Sequence, residues 1–534
     1  MGVQITYKDT SPFSKKDSTL AATDKQSFIS EAQLKQDLDV PNYATMEQNF
    51  WILNGTHESF PDEPANAPFG VWSYSMSGEN GAFSAPIVLT RTFSEKHSSV
   101  GISFEFQRYT NDYCNSLNIK WYSDDTLLFD KDYQPDSATY YCKQNVELFN
   151  KVVITFHSMN KAGRYLKIAN IDDGVIRIFG DADLMSVKVV EEVSPISEEL
   201  PIDTLDFTLN KGDIEFMFQK KQPTEVYHNG NLIGCFFIES SSRLTKAQYR
   251  ISAEDYIGIL DKTDFMGGIY TEVPASEIIS AIFTDETIPY EIEASLQAKP
   301  LSGYIKICTK REALAQVAFA LGAIIDTTRT RKVLIRKIDT EKVSTVDGDR
   351  VFMGGSIDTG DIVTAVEIKE HSYTQNNETQ ELFSGQINGT ELITFSEPKH
   401  SLTISGGTIT ESGVNYAVIT ASGNVTLSGK GYNHATKTIR KSNPNITYGE
   451  KQNTIKFEET TLISNSNSAE IIEKVYNYYL KNKTLKCDFV LSGEETSDTV
   501  MIETEFAGIK RGIIKSLDLD IKNKLIGKAE IQIE

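Results

Sequence analysis

The stretch Ile102-Ser103-Phe104-Glu105-Phe106 sets large apolar side chains at every second position. Successive side chains of a strand point to opposite faces, so this spacing marks a strand with one buried face. Leu117-Asn118-Ile119-Lys120-Trp121 repeats the pattern, and so does Val187-Lys188-Val189. Turn-forming runs lie between such segments: Ser77-Gly78-Glu79-Asn80-Gly81, Ser123-Asp124-Asp125 and Asp172-Asp173-Gly174. Many short strands with regular turns predict a β-sandwich over 46–194. All three tryptophans, Trp51, Trp72 and Trp121, fall in that range.

Working outward, residues 1–45 combine a short strand, Val3 to Tyr7, with a polar stretch, and read as an N-terminal arm or connector. On the other side, Val193-Ser194-Pro195-Ile196-Ser197 reads as a boundary, and 195–355 mixes α and β patterns. There Thr309-Lys310-Arg311-Glu312 forms a capping box. Leu314, Val317, Ala318 and Leu321 follow at helical spacing, with Gly322 placed to close the helix, so a helix is predicted over 310–321. A shorter helix is expected over 275–283, and a strand at Val333-Leu334-Ile335. The last range, 356–534, opens with a strand through Val363, Val366 and Ile368. Residues 385–460 are rich in Gly, Ser, Thr and Asn and read as a β-meander or a long insertion. A helix is expected over about 468–481, with Ser468 as its cap and Ile471, Val475 and Tyr479 on one face. The expected class is mainly β with α+β parts: a β-sandwich plus further β-rich, barrel-like domains with short helices.

At 534 residues the chain is too long for one core, and roughly three or four domains are expected. The formal net charge of −21 argues against a surface built mainly to grip nucleic acid or anionic membrane. The first residues lack the apolar core of a secretory signal, and no apolar run approaches a bilayer span, so no membrane insertion is expected. Met1-Gly2 superficially fits a myristoylation pattern, but Val3 to Tyr7 reads as a strand. Cys114, Cys142, Cys235, Cys308 and Cys487 are widely spaced, with no CxxC pair. Cys114 and Cys142 could meet in one domain, but the odd count favours reduced thiols made in a cytosol.

A search for chemistry assigns no catalytic, cofactor or metal residue, and leaves any ligand-binding residues unknown. Gly267-Gly268 and Gly354-Gly355 lack the lysine and hydroxyl residue of a phosphate loop and read as turn glycines. His57, His97, His157, His228, His371, His400 and His434 form no HExxH or HxH pair. The cluster Asp124, Asp125, Asp130, Asp132 and Asp136 could face a calcium ion, but lacks EF-hand spacing and reads as a solvated acidic loop. Trp51, Trp72, Tyr74, Trp121, Tyr122, Tyr140 and Tyr141 could stack on sugar rings. Trp121 shares the register of Leu117 and Ile119, which instead places it in a core.

Several segments resemble a tail protein of phages and prophages of Firmicutes. They include Pro41-Asn42-Tyr43-Ala44-Thr45-Met46-Glu47, Asn49-Phe50-Trp51-Ile52-Leu53-Asn54-Gly55, Gly70-Val71-Trp72-Ser73 and Tyr165-Leu166-Lys167-Ile168-Ala169-Asn170-Ile171. Ser252-Ala253-Glu254-Asp255-Tyr256-Ile257-Gly258, Phe265-Met266-Gly267-Gly268 and Arg311-Glu312-Ala313-Leu314 resemble the module of the baseplate, or tail-tip, hub family. The resemblance spans roughly 1–340, is looser near the end of the chain, and carries no catalytic residues.

This resemblance implies a homotrimeric virion structural protein, made in the host cytoplasm and placed in the tail. Two similar β-domains per subunit would give the trimer pseudo-sixfold symmetry. It would thereby join a hexameric tail tube or distal tail protein to a threefold spike or fibre protein. It would also guide the tape-measure protein, with DNA only in transit, and transmit the signal for genome ejection. The sandwich could touch host cell-wall carbohydrate. The competing expectations are a carbohydrate- or receptor-binding tail protein and a tail-associated cell-wall hydrolase.

Overall fold

A computed structural model describes residues 2–8, 14–36, 38–47, 54–174, 176–211, 218, 220–286, 288–446, 452–504, 507–522 and 525–533. Trp51 and most of the Asn49–Gly55 segment lie outside the described residues. Among the described residues the protein is mainly β and multi-domain, with several sheets, few short helices and no closed barrel.

The alternation around Ile102 produces the expected half-buried strands. Ala82–Glu105 pairs with Thr139–Met159, which pairs with Cys114–Ser123, which pairs with Thr126–Tyr133. Thr19–Ala22 closes the far edge of this six-stranded sheet. Val71–Met76 and Tyr165–Ile168 form a small second sheet whose Trp72 and Leu166 share the same core. Phe104, Phe106, Ile119, Trp121, Phe149 and Phe156 are all buried there. Burying each of these side chains contributes roughly 1.5–3 kcal/mol.

A 13-stranded sheet forms the backbone of the molecule. Its first strand, Val3–Lys8, lies between Ile176–Gly180 and Pro223–His228, both antiparallel. The chain therefore leaves this sheet after one strand, builds the sandwich, and returns to the same edge. Asn231–Arg243, Gln248–Glu254, Thr204–Asn210 and Leu184–Glu192 continue the order. Leu184–Glu192 then pairs with Gly508–Asp520 in the register Lys188↔Asp520, Val189↔Leu519. Ile526–Ile533, Lys483–Val490 and Ser356–Thr359 complete the path, and Thr499–Thr504 pairs off it with Gly508–Asp520. Two antiparallel units, one from each end of the chain, thus meet edge to edge over one core. The strand pairings cut across the ranges expected from sequence: 176–192 belongs to this sheet, whereas Thr19–Ala22 pairs within the sandwich.

A helical module packs beside the sheet. Helix Lys310–Leu321 has the anticipated capping box between Thr309 and Glu312, and Gly322 ends it in the left-handed region at φ 63°. Its buried face meets helix Ala275–Ile282, Val366, Phe457 and the helix Ser468–Leu480. Ser468 does not cap that last helix: the N-cap position is Asn467, and the Ser468 hydroxyl donates instead to Glu370 at 2.6 Å. The stretch expected as a meander or insertion is the outer part of a long hairpin, Ala365–Thr394 against Tyr416–Ser442. Short strands His400–Ser405 and Thr408–Ser412 fold back onto it.

Candidate functional site

The hairpin register creates the most developed site. Tyr373 stands directly opposite His434, and His371 lies two residues toward the base. The three rings stack in sequence: Tyr373 and His434 at 4.4 Å, His434 and His371 at 5.1 Å, nearly parallel in both cases. His371 Nδ1 and His434 Nε2 are 2.9 Å apart, so one carries the proton that the other accepts. Burial, followed by the neighbouring His434, pushes the pKa of His371 down.

These histidines line a cleft of about 830 Å³ at the hairpin base. Its other walls are the start of helix Lys310–Leu321, the end of strand Pro300–Ile305 and residues 456–461. Tyr304 crosses the floor, donating to Asn415 Oδ1 at 2.8 Å, and Asn415 Nδ2 donates to the Met266 carbonyl at 2.9 Å. The hairpin is thereby fastened to the Phe265–Gly268 segment. Six carboxylates, Glu198, Glu199, Asp261, Glu312, Glu458 and Glu459, face Lys306, Arg311 and Lys456, leaving the cleft acidic. Burial pushes the Cys308 thiol up to about 12, so it stays protonated at neutral pH and is a poor nucleophile. The arrangement suits recognition of polar or cationic groups.

A second polar cluster joins the sheet to the helical module. Asp255 caps helix Tyr256–Leu260, accepting from the Ile257 and Gly258 N–H groups at 3.0 and 3.2 Å. Thr327 donates to its other oxygen at 2.6 Å. Asp203 accepts from the Glu192 N–H at 2.7 Å. Buried Glu191 faces Arg329 at 3.4 Å, and Asp326 faces Arg336 at 2.6 Å. Burial raises the pKa of Asp203, Asp255 and Glu191, and mutual repulsion adds to the rise at Asp203. Burial also pushes Glu495 up to about 7.

The sequence candidates fall elsewhere. Trp72 and Trp121 are core residues, Tyr122, Tyr140 and Tyr141 are half-buried, and Tyr74 is exposed. Asp124 pairs with Lys96 at 2.8 Å, while Asn118 donates to Asp130 and Asp132 at 2.7 and 2.9 Å. Among the described residues no group of three or more His, Cys, Asp or Glu side chains is placed to hold a metal. All five cysteines are buried free thiols. Sequence reasoning missed the His371–His434 pair because 63 positions separate its members. Only the hairpin register brings them together.

No protein-family model and no curated protein matches the chain. Among solved structures, a tail protein from Neisseria meningitidis is similar over 67% of this chain and 94% of its own, at 11% identity and a TM-score of 0.43. The 43 kDa tail protein of prophage MuSo2 from Shewanella oneidensis is similar over 67% of this chain and 95% of its own, at 10% identity and a TM-score of 0.41. A family 32 CBM from C. perfringens, solved with galactose, is similar over 33% of this chain and 99% of its own, at 11% identity and a TM-score of 0.20. All three TM-scores lie below 0.5.

Proposed function

We propose that this chain is a structural hub subunit at the tip of a phage or phage-like tail. Its role is mechanical rather than catalytic: three copies form a ring that joins a sixfold tube or distal ring to a threefold spike or fibre. The observation that carries this reading is the edge-to-edge pairing of Leu184–Glu192 with Gly508–Asp520. It sets two antiparallel β-units side by side in one subunit, the arrangement a trimer needs to present six β-units around an axis. The segments that resemble tail-hub sequences support it, because Ser252–Glu254 ends a strand of that sheet and Tyr256, Ile257, Phe265, Ala313 and Leu314 share the core of the helical module beside it. The sandwich, inserted after the first sheet strand, is then an outward decoration. Immunogold labelling of assembled particles with an antibody to the full chain tests the role. Label is expected at one end of the tail; label along the tube, or none on tails, overturns it.

A second reading gives the sandwich a sugar-binding role. Its favouring observation is Tyr109, which is exposed and faced by the Arg108 guanidinium 5.0 Å from the ring centroid. An exposed aromatic face beside charged hydrogen-bonding groups suits a pyranose ring. Glycan-array binding by the full chain that disappears in Tyr109→Ala would establish it, and binding unaffected by that change would remove it.

A further inference from the structure

The two edges of the long hairpin are treated differently. The Tyr416–Ser442 edge is covered over its outer half by the chain itself, through His400–Ser405 and Thr408–Ser412. Among the described residues the opposite edge, on Ala365–Thr394, pairs with a further strand only at its base, where Thr454–Phe457 runs parallel to Ala365–Ile368. From 372 to 394 no strand among the described residues pairs with that edge. At about 3.3 Å per residue this leaves about 70 Å of strand without a partner strand, interrupted by a bulge where the Asn376 carbonyl accepts from His400 and the Glu378 N–H donates to Asn376 Oδ1.

Proteins blunt such edges with lysine, proline or a covering segment. Residues 372–394 contain no Lys, Arg or Pro. They carry Glu378, Glu381 and Glu391, all exposed and in no ion pair among the described residues. The edge is thus open to a strand of positive charge and closed to a negative one. A second copy fits poorly. Paired through this edge, two copies would set Glu378, Glu381 and Glu391 of one against the same carboxylates of the other. We infer that the outer edge of 372–394 is a docking site for an extended, Lys- or Arg-bearing segment of another polypeptide. That segment joins the sheet by main-chain hydrogen bonds, and the three carboxylates select its charge. The site rests on the hairpin alone and is independent of the tail reading.

Hydrogen–deuterium exchange on the full chain tests this, with a dodecapeptide of alternating lysine and threonine as probe and its glutamate counterpart as control. The lysine peptide is expected to slow exchange of amides within 372–394, less so as salt rises. In Glu378→Lys/Glu381→Lys/Glu391→Lys its affinity should fall at least tenfold and the glutamate peptide should bind instead. Unchanged protection of Ile387, Ile419 and Leu427 would show that the hairpin still folds. Should that variant misfold, the Glu→Gln triple replacement should still weaken the lysine peptide. Three outcomes overturn the inference: no slowing with either peptide, equal slowing with both, or slowing that appears only as the chain itself is concentrated, which would assign the edge to a second copy.

Discussion

Glu495 links a single buried carboxyl to the stability of the whole chain. Burial raises it from 4.5 to about 7, and burial raises Asp203 and Asp255 in the same junction. A carboxyl whose folded pKa is raised holds more protons when folded, so stability is lost as pH rises from the ordinary carboxylate value to the folded one. For Glu495 that window runs from 4.5 to about 7. Asp17 works in the opposite sense: its hydrogen bonds to Ser94 and His97 outweigh its burial and hold it at about 2, so it loses stabilisation only as pH falls below its ordinary 3.8. The thermal midpoint should therefore fall between pH 5 and 7. Asp203→Asn removes one of the repelling carboxylates and should flatten that slope and raise the midpoint at pH 7; an unchanged slope would contradict the role given to the cluster. Arg91 and Asp173 are a different case. They pair at 2.8 Å with both side chains buried in the sandwich. Arg91→Ala leaves an uncompensated charge and should cost about 3–5 kcal/mol by chemical denaturation. Arg91→Met/Asp173→Leu should cost much less, because no charge is stranded. None of these partners was legible in sequence: Arg91 and Asp173 lie 82 positions apart, and Glu191 and Arg329 lie 138 apart.

Elements were legible where local chemistry alone decides them. Helix Lys310–Leu321 has the bounds its capping box and apolar spacing predict. Thr309→Ala removes the hydroxyl that accepts from the Glu312 N–H and should cost about 1 kcal/mol, read as a lower denaturant midpoint with an unchanged slope. The helix Ser468–Leu480 was found but its cap was misplaced, because Ser468 is buried and spends its hydroxyl on Glu370. The long hairpin was seen only in part. Along its outgoing strand beyond Ser372 most residues are exposed, so the alternation that revealed the sandwich strands is largely lost there, while the returning strand keeps it at Ala417, Ile419, Val425 and Leu427. The His371–Tyr373–His434 stack follows from that unread register.

At the scale of the molecule, the mainly β class followed from strand periodicity, but sheet membership did not. Val189 and Leu519 are neighbours across the seam between the two β-units, and nothing local to either strand names the other. Residues 176–192 read as further strands of the sandwich because their pattern is the same; their partners at both ends of the chain place them in the larger sheet. The pairing of Leu184–Glu192 with Gly508–Asp520 is also what gives the proposed hub its two β-units. The most direct test of that proposal is the symmetry of this chain in an assembled particle, measured by electron cryomicroscopy of the tail tip. Three copies in one ring are predicted, each contributing two β-units to a pseudo-sixfold face. Six copies in the ring, or a single copy off the axis, would contradict it.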